Sequence, residues 1–331
     1  MYHSYGQKLS LEKLIVPKTY VSHQVRQPIC VDGEIEAEWN KAEISDAFVD
    51  IEGEKIPQYQ TQFKMLWDKQ NIYVLAILQE PHIWGNLKQR DTIIFYNNDF
   101  ELFIDPDGDT HNYMEIEVNA LNTVWDLFLN KPYRNNAIVE NDWNIKGMNT
   151  AVSYNGSLNN PNDRDESWIL EMAIPWEGLN KGNPNNKVPV NTFWRINFSR
   201  VNWDFDLVNN SYSRKKRNDG HNLDEYNWVW SPQGAINMHE PEHWGYVFFA
   251  SFDSKIRTIK PPKDALFVQW MYTHYTNHIN EEKPPVGEKF FDSKLIKLIP
   301  VKIDGFLCWE AQNPWNNKTY RILNDGKLLI L

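Results

Sequence analysis

The chain has 331 residues, with 34 Lys and Arg against 44 Asp and Glu and a formal net charge of −10. That balance disfavours nucleic acid and anionic membranes as partners, since both select basic faces. No apolar run approaches the roughly 20 residues that insert across a bilayer, and two cysteines, Cys30 and Cys308, are too few for a disulfide scaffold or a thiolate metal cage.

Residues 1–27 are polar and unpatterned and read as an N-terminal arm, without the apolar stretch of a signal peptide. From 28 to 252 the pattern is mainly β. A short helical turn is expected over 36–42, an alternating strand over 61–67, a turn at 68–71 and a continuously apolar strand over 72–78. Strands follow at 100–104 and 113–118 around the turn at 106–109, then at 150–154, 168–173, 193–201 and 246–251. Pro175 opens a second helical turn to 179, and Asn155-Gly156 is a hairpin signal. Short strands divided by Gly, Pro, Asn and Asp imply an antiparallel β-sandwich. Residues 253–331 read as a small α+β appendage of unknown role. Asp264 is placed to cap a helix running to about 280, which Lys283-Pro284-Pro285-Val286-Gly287 breaks. Strands are expected at 302–309 and 319–322, with a turn at 324–327 into 328–331.

Several strings carry chemistry. His239-Glu-Pro-Glu-His243 fits the zinc-protease pattern, which needs both imidazoles on one helical face. Pro241 inside that turn argues against the helix, so the match reads as accidental. Asp105, Asp107 and Asp109 alternate as oxygen ligands of a calcium ion would, although Pro106 and Gly108 favour a plain hairpin turn, with calcium the alternative. His274 and His278 lie one helical turn apart with no third ligand nearby. Glu115 and Glu117 alternate with Met114, Ile116 and Val118 and should face away from the core. They are the candidate carboxylate pair if the chain cleaves glycosidic bonds. Nothing supports serine, cysteine or phosphoryl chemistry.

Fifteen Trp, 15 Tyr and 16 Phe in an Asn- and Asp-rich chain offer flat apolar rings beside polar handles, a combination that suits sugar rings. Most of these rings are expected in the core. The stretches VDGEIEAEWNKAE (31–43), FKMLWDKQNIYVLAILQEPHIW (63–84), NNDFELFIDPDGDTHNYMEIEVNALNTVWDLFLNKPY (97–133), WILEMAIPWEGL (168–179), WRINFSRVNW (194–203) and NWVWSPQGAINMHEPEHWGYVFF (227–249) resemble the family 9 carbohydrate-binding modules. The likeness is strongest to stand-alone members related to the DOMON-like sandwich. It implies a sandwich that holds the end of a sugar chain between two tryptophans, with calcium in a structural role and no other cofactor. Ungapped counting puts Phe95 at the first of those tryptophans, with Trp84 upstream. It puts Met238 at the second, with Trp228 and Trp230 upstream, and Glu117 where the family carries a basic residue.

On this resemblance Trp84, Phe95, Trp125, Trp228 and Trp230 are candidates to stack on sugar, and Asn119, Arg200 and Gln233 to bond its hydroxyls. The expected function is non-catalytic carbohydrate binding in polysaccharide catabolism, outside the cytoplasm. A glycoside hydrolase using Glu115 and Glu117, or a purely structural or interaction sandwich, are the alternatives. The oligomeric state is left open.

Overall fold

Each strand of a two-layered β unit shows one side chain in two to the partner layer, so alternating residues assemble a core. The computed structural model describes residues 14–184, 187–279 and 286–331. Its larger unit contributes β1 (Thr19–Gln24), β2 (Val49–Asp50), β3 (Thr61–Trp67), β4 (Asn71–Gln79), β5 (Asp99–Asp105), β6 (Tyr113–Asn119), β7 (Val124–Leu129) and β8 (Val139–Glu140). It continues with β9 (Asn149–Asn155), β10 (Ser167–Pro175), β11 (Phe193–Asn202), β12 (Phe205–Val208), β13 (Ser211–Arg214), β14 (Tyr226–Val229) and β15 (Gly245–Ala250). Every strand expected between 28 and 252 is present within a residue or two of its predicted bounds.

One sheet runs in the order β8-β7-β6-β5-β11-β15-β1-β3-β4-β10-β9, with β14 added beside β11 and β2 beside β14. It doubles over, so that Phe100, Leu102, Met114, Ile116 and Phe198 on one leaf meet Phe63, Met65, Val74 and Leu170 on the other. β1 is the fold line. Thr19 to His23 pair in parallel with Tyr246 to Ala250, and His23 and Gln24 go on to pair with Leu66 and Trp67.

The arm expected over 1–27 is therefore corrected for this stretch, while residues 1–13 lie outside those described. Tyr20 enters the inter-leaf core and Val21 packs with Phe248 on the other side. With both faces covered, polar Ser22 and His23 can share a strand that has two backbone partners, and the usual alternation is lost.

The smaller unit holds α1 (Ala265–Ile279), β16 (Gly287–Phe291), β17 (Lys294–Ile303), β18 (Phe306–Gln312), β19 (Thr319–Ile322) and β20 (Leu328–Ile330), the strands forming one antiparallel meander. The single strand expected at 302–309 is instead two. Asp304 and Gly305 adopt φ of 50° and 86°, the left-handed pair that a tight Asp-Gly turn requires. Asp264 does precede the helix, but its carboxylate accepts from Tyr320 and Asn313 instead of capping. Phe267, Met271 and Tyr275 of α1 pack on Leu298, Trp309 and Ile322. Most of the break expected at 283–287 falls outside the described residues. Among those described, no helix is long and apolar enough to cross a membrane.

Candidate functional site

The leaf containing β6, β5 and β11 has an unusual second face. Alternation that sends Phe100, Leu102, Met114 and Ile116 inward sends Asp99, Glu101, Glu115 and Glu117 outward. Antiparallel register then lines them up: Ser199 lies opposite Glu101, Glu101 opposite Glu117, and Glu117 opposite Trp125. Outward does not mean exposed. Ile51, Ile94, Met238 and Trp244 form a small apolar layer with Phe103, Tyr113, Trp125 and Leu127 over this face. Asp99, Glu101, Glu115 and Glu117 retain 0%, 5%, 4% and 2% exposure.

Carboxyl oxygens of Asp99, Glu101 and Glu117 all lie within 4.8 Å of one another. Asp99 accepts from the Val201 N–H at 3.2 Å, and its second oxygen has no partner. Glu117 accepts from the Phe95 N–H at 2.9 Å. Burial raises all four acids, Glu101 to about 7 and the others well above the usual carboxylate range, and crowding among the carboxylates adds to the rise of Asp99, Glu115 and Glu117. His239 is the nearest imidazole, 3.9 Å from Glu115, but burial holds it down to about 3, so it brings no positive charge.

The rim is aromatic. Phe95 is half-buried beside Glu117, and Tyr133 is 50% exposed with its ring 4.4 Å from that of His239. Glu115 and Glu117 help to raise the Tyr133 phenol, behind burial. Thus Phe95, Trp125, Glu115, Glu117 and the Met238 position come together on one face. Asp99, Glu101, Ser199 and Tyr133 join them without having been singled out. The pattern Asp99-Phe-Glu101-Leu repeats on the next strand the alternation of Glu115 and Glu117, and that repeat is the signal that could have found them.

The other expected contacts lie elsewhere. All tryptophans but Trp143 and Trp315 are buried, which corrects the stacking expectation for Trp84, Trp125, Trp228 and Trp230. An indole enclosed to within 8% of full burial has no face to lend. Trp84 stacks on Tyr212, and Trp228 and Trp230 line the inter-leaf core. Arg200 is fully buried in a pair with Glu80 at 2.6 Å and also donates to the Gln79 carbonyl and to Asn202. Asn119 clamps a turn by accepting from the Leu121 and Thr123 N–H groups. Gln233 donates to the Ser231 carbonyl inside the fold.

Two further acidic groups already hold basic partners. Asp105 accepts from the Gly108 and Thr110 N–H groups, and Asp109 is paired with Lys327 at 2.8 Å. With Asp107 they fit a cation by spacing, but an ammonium and backbone donors occupy their oxygens. Glu242, beside Glu240 and His243, takes both arms of Arg134 at 2.7 and 2.9 Å. Pro241–His243 is a single 3-10 turn. His239 engages Tyr113 while His243 engages Gln269, so no zinc-protease face exists. The structure also encloses an open hollow of about 400 Å³ lined by Lys88, Arg90, Asn122, Thr123 and Thr150, and it holds no aromatic ring.

A family model described as carbohydrate family 9 binding domain-like matches residues 31–248. Among curated proteins, endo-1,4-beta-xylanase A of Thermotoga neapolitana is 25% identical over 161 residues, which are 49% of this chain and 13% of the xylanase. A solved Bacteroides uniformis protein, described as a candidate carbohydrate-binding protein, superposes with a TM-score of 0.50 at 17% identity, covering 70% of this chain and 99% of its own. A family 9 module of Caldicellulosiruptor kristjanssonii, solved with cellotriose, gives 0.45 at 17% identity, over 74% of this chain and all of the module. Identities this low speak for the fold alone.

Proposed function

We propose that this chain, which belongs to the carbohydrate family 9 binding domain-like family, binds carbohydrate without cleaving it. The face formed by β5, β6 and β11 is the binding surface. The observation that carries the reading is the half-open aromatic rim of Phe95 and Tyr133 at the edge of this face, in a fold that the family model matches over residues 31–248. An aromatic rim packs against the C–H face of a pyranose, and the enclosed carboxylates behind it set the polarity of the surface. In this reading Phe95 and Tyr133 replace the tryptophans expected from the sequence, and the Asp105–Asp109 turn needs no ion.

A hydrolase reading requires two carboxylates flanking one bond, with room for water or for attack. Glu115 and Glu117 are at most 4% exposed and share one cluster with Asp99 and Glu101, too enclosed to flank a glycosidic bond. Family membership also favours work outside the cytoplasm.

Titration calorimetry with a panel of oligosaccharides, run beside a reducing-end assay, tests the proposal. Saturable heat without released ends is the expected result, with affinity lost in Phe95→Ala. Turnover that disappears in Glu117→Gln would establish the hydrolase instead. Silence towards every sugar, with a protein retained in pull-down, would establish the interaction sandwich.

A further inference from the structure

The five strands of the smaller unit carry apolar side chains on both faces, and α1 covers only one of them. Alternation along β17 sends Ile296 and Leu298 under the helix, together with Phe291, Trp309 and Ile322 from the neighbouring strands. Register sends the opposite set outward. Phe290 lies against Leu295 at one end and Ile303 against Phe306 at the other, with Ile299 and Val301 between them. Phe290 and Phe306 are 67% and 58% exposed, and Leu295 and Ile299 nearly half. Among the described residues, none of these six joins a hydrophobic cluster with another element. A strand that is apolar on both sides is the pattern of a sheet covered twice, and an exposed apolar patch of this extent marks a contact surface.

Charge, size and shape say what this face fits. Its ionised side chains cancel in pairs, Glu288 with Lys297 at 2.8 Å and Glu310 with Arg321. The whole chain carries a net charge of −10, so most of its surface repels a second copy, while this face can meet one without adding like charge. Five strands about 4.8 Å apart, the longest of 10 residues, make a face of roughly 500 Å² in projection. With side-chain relief counted, that reaches the roughly 600 Å² per partner at which specific interfaces begin. A twisted sheet packs best on another of the same twist, and a twofold axis supplies an identical one.

We propose that the outer face of the β16–β20 sheet is a homodimer interface. Two copies pack these faces together about a twofold axis, with Ile299 near the centre and the rings of Phe290 and Phe306 towards the two ends. The sandwiches then lie on the outside of the pair, because α1, whose Gln269 contacts the larger unit at His243, is on the other side of the sheet. One dimer thereby presents two β5–β6–β11 faces to a polymer, and two weak contacts on one chain hold better than either alone. That bivalence rests on the carbohydrate reading above; the dimer does not.

The test is sedimentation of the full chain over a series from about 1 to about 100 µM, where a monomer–dimer equilibrium is expected. Ile299→Glu buries a charge at the centre of each face and should weaken the dimer by about tenfold or more. Lys297→Glu turns a neutral pair into two acids and should weaken it in a way that added salt partly restores. Ile56→Glu, at a 93% exposed position on the sandwich, should leave it unchanged. Thermal melts at the dilute end of the series should match the parent for all three, which separates loss of the dimer from loss of the fold. A parent that is monomeric at every concentration would overturn the proposal, as would a dimer that Ile299→Glu and Lys297→Glu leave intact. A monomeric parent that retains a foreign protein, and loses it in Ile299→Glu, would assign the face to that partner instead. Sugar titrations report separately: a dimer that binds no sugar keeps the interface and removes the carbohydrate role.

Discussion

Glu171 shows how much one buried carboxylate can organise. Fully buried on β10, it accepts from Trp39 Nε1 at 2.8 Å, from the Gly33 N–H at 2.9 Å and from the Asp32 N–H at 3.2 Å. It thereby ties the 31–42 segment over the outer face of β3, β4 and β10. Glu171→Gln offers one acceptor and presents a donor to donors, so it should cost about 2–3 kcal/mol of stability in urea melts. His243 gives the matching pH dependence. Glu240, Glu242, Arg134, Arg195 and Gln269 surround it, and burial holds its imidazole down to about 4. Between pH 6.5 and 4 the unfolded chain takes up a proton that the folded chain refuses, so stability falls as pH falls. The slope from this group is at most about 1.4 kcal/mol per pH unit. Urea midpoints at pH 7 and pH 5 should therefore diverge more for the parent than for His243→Gln. At this scale the sequence was a partial guide. The alternation of Glu115 and Glu117 told which way they point, but not that residues more than 100 positions away, Met238 and Trp244, would roof them. Likewise Arg200 looked available for hydroxyls because its partner Glu80 lies on a distant loop.

Among the elements, β1 is the one that composition hides and topology needs. It supplies both neighbouring strands with backbone partners, and its Ser22 carbonyl accepts from Trp67 Nε1 at 3.0 Å. Deleting residues 1–24 should expose the edges of β15 and β3 and leave an aggregating, non-cooperative product. A cooperative melt of that truncated chain would show that β1 is an accessory. Strands that cover one face and keep the other dry were legible, as β3, β6 and β10 illustrate. β12 and β13 were not, since Phe205–Val208 and Ser211–Arg214 are short, largely exposed and anchored to the sandwich by few rings, Tyr212 on Trp84 among them. Pairing of that kind leaves little trace in hydrophobic pattern.

For the whole molecule, the appendage is a buttress as well as a neighbour. Gln269 of α1 donates to His243, Lys327 pairs with Asp109, and the Leu328 N–H donates to the Asp109 carbonyl at 3.1 Å. These contacts fall on the 105–111 and 239–243 loops, the second of which borders the acidic face. Removing residues 253–331 should leave a sandwich that still folds but melts lower, with sugar affinity reduced through the loosened 239–243 loop. An unchanged affinity and melting point would show that the two units merely coexist. The sequence reading divides the chain near 252, where the β pattern stops. It could not reveal the docking, which is made by scattered polar pairs without a periodic signature.

The parallel pairing of Thr19 with Tyr246 also sets an order of events. On a ribosome the first strand emerges long before its mate, so neither leaf can lock to the other until residue 250 has cleared the exit tunnel. Such distant closure slows folding and prolongs the time that unsatisfied strand edges are on view. The newborn chain is thus a natural client for holding chaperones until residue 250 has emerged.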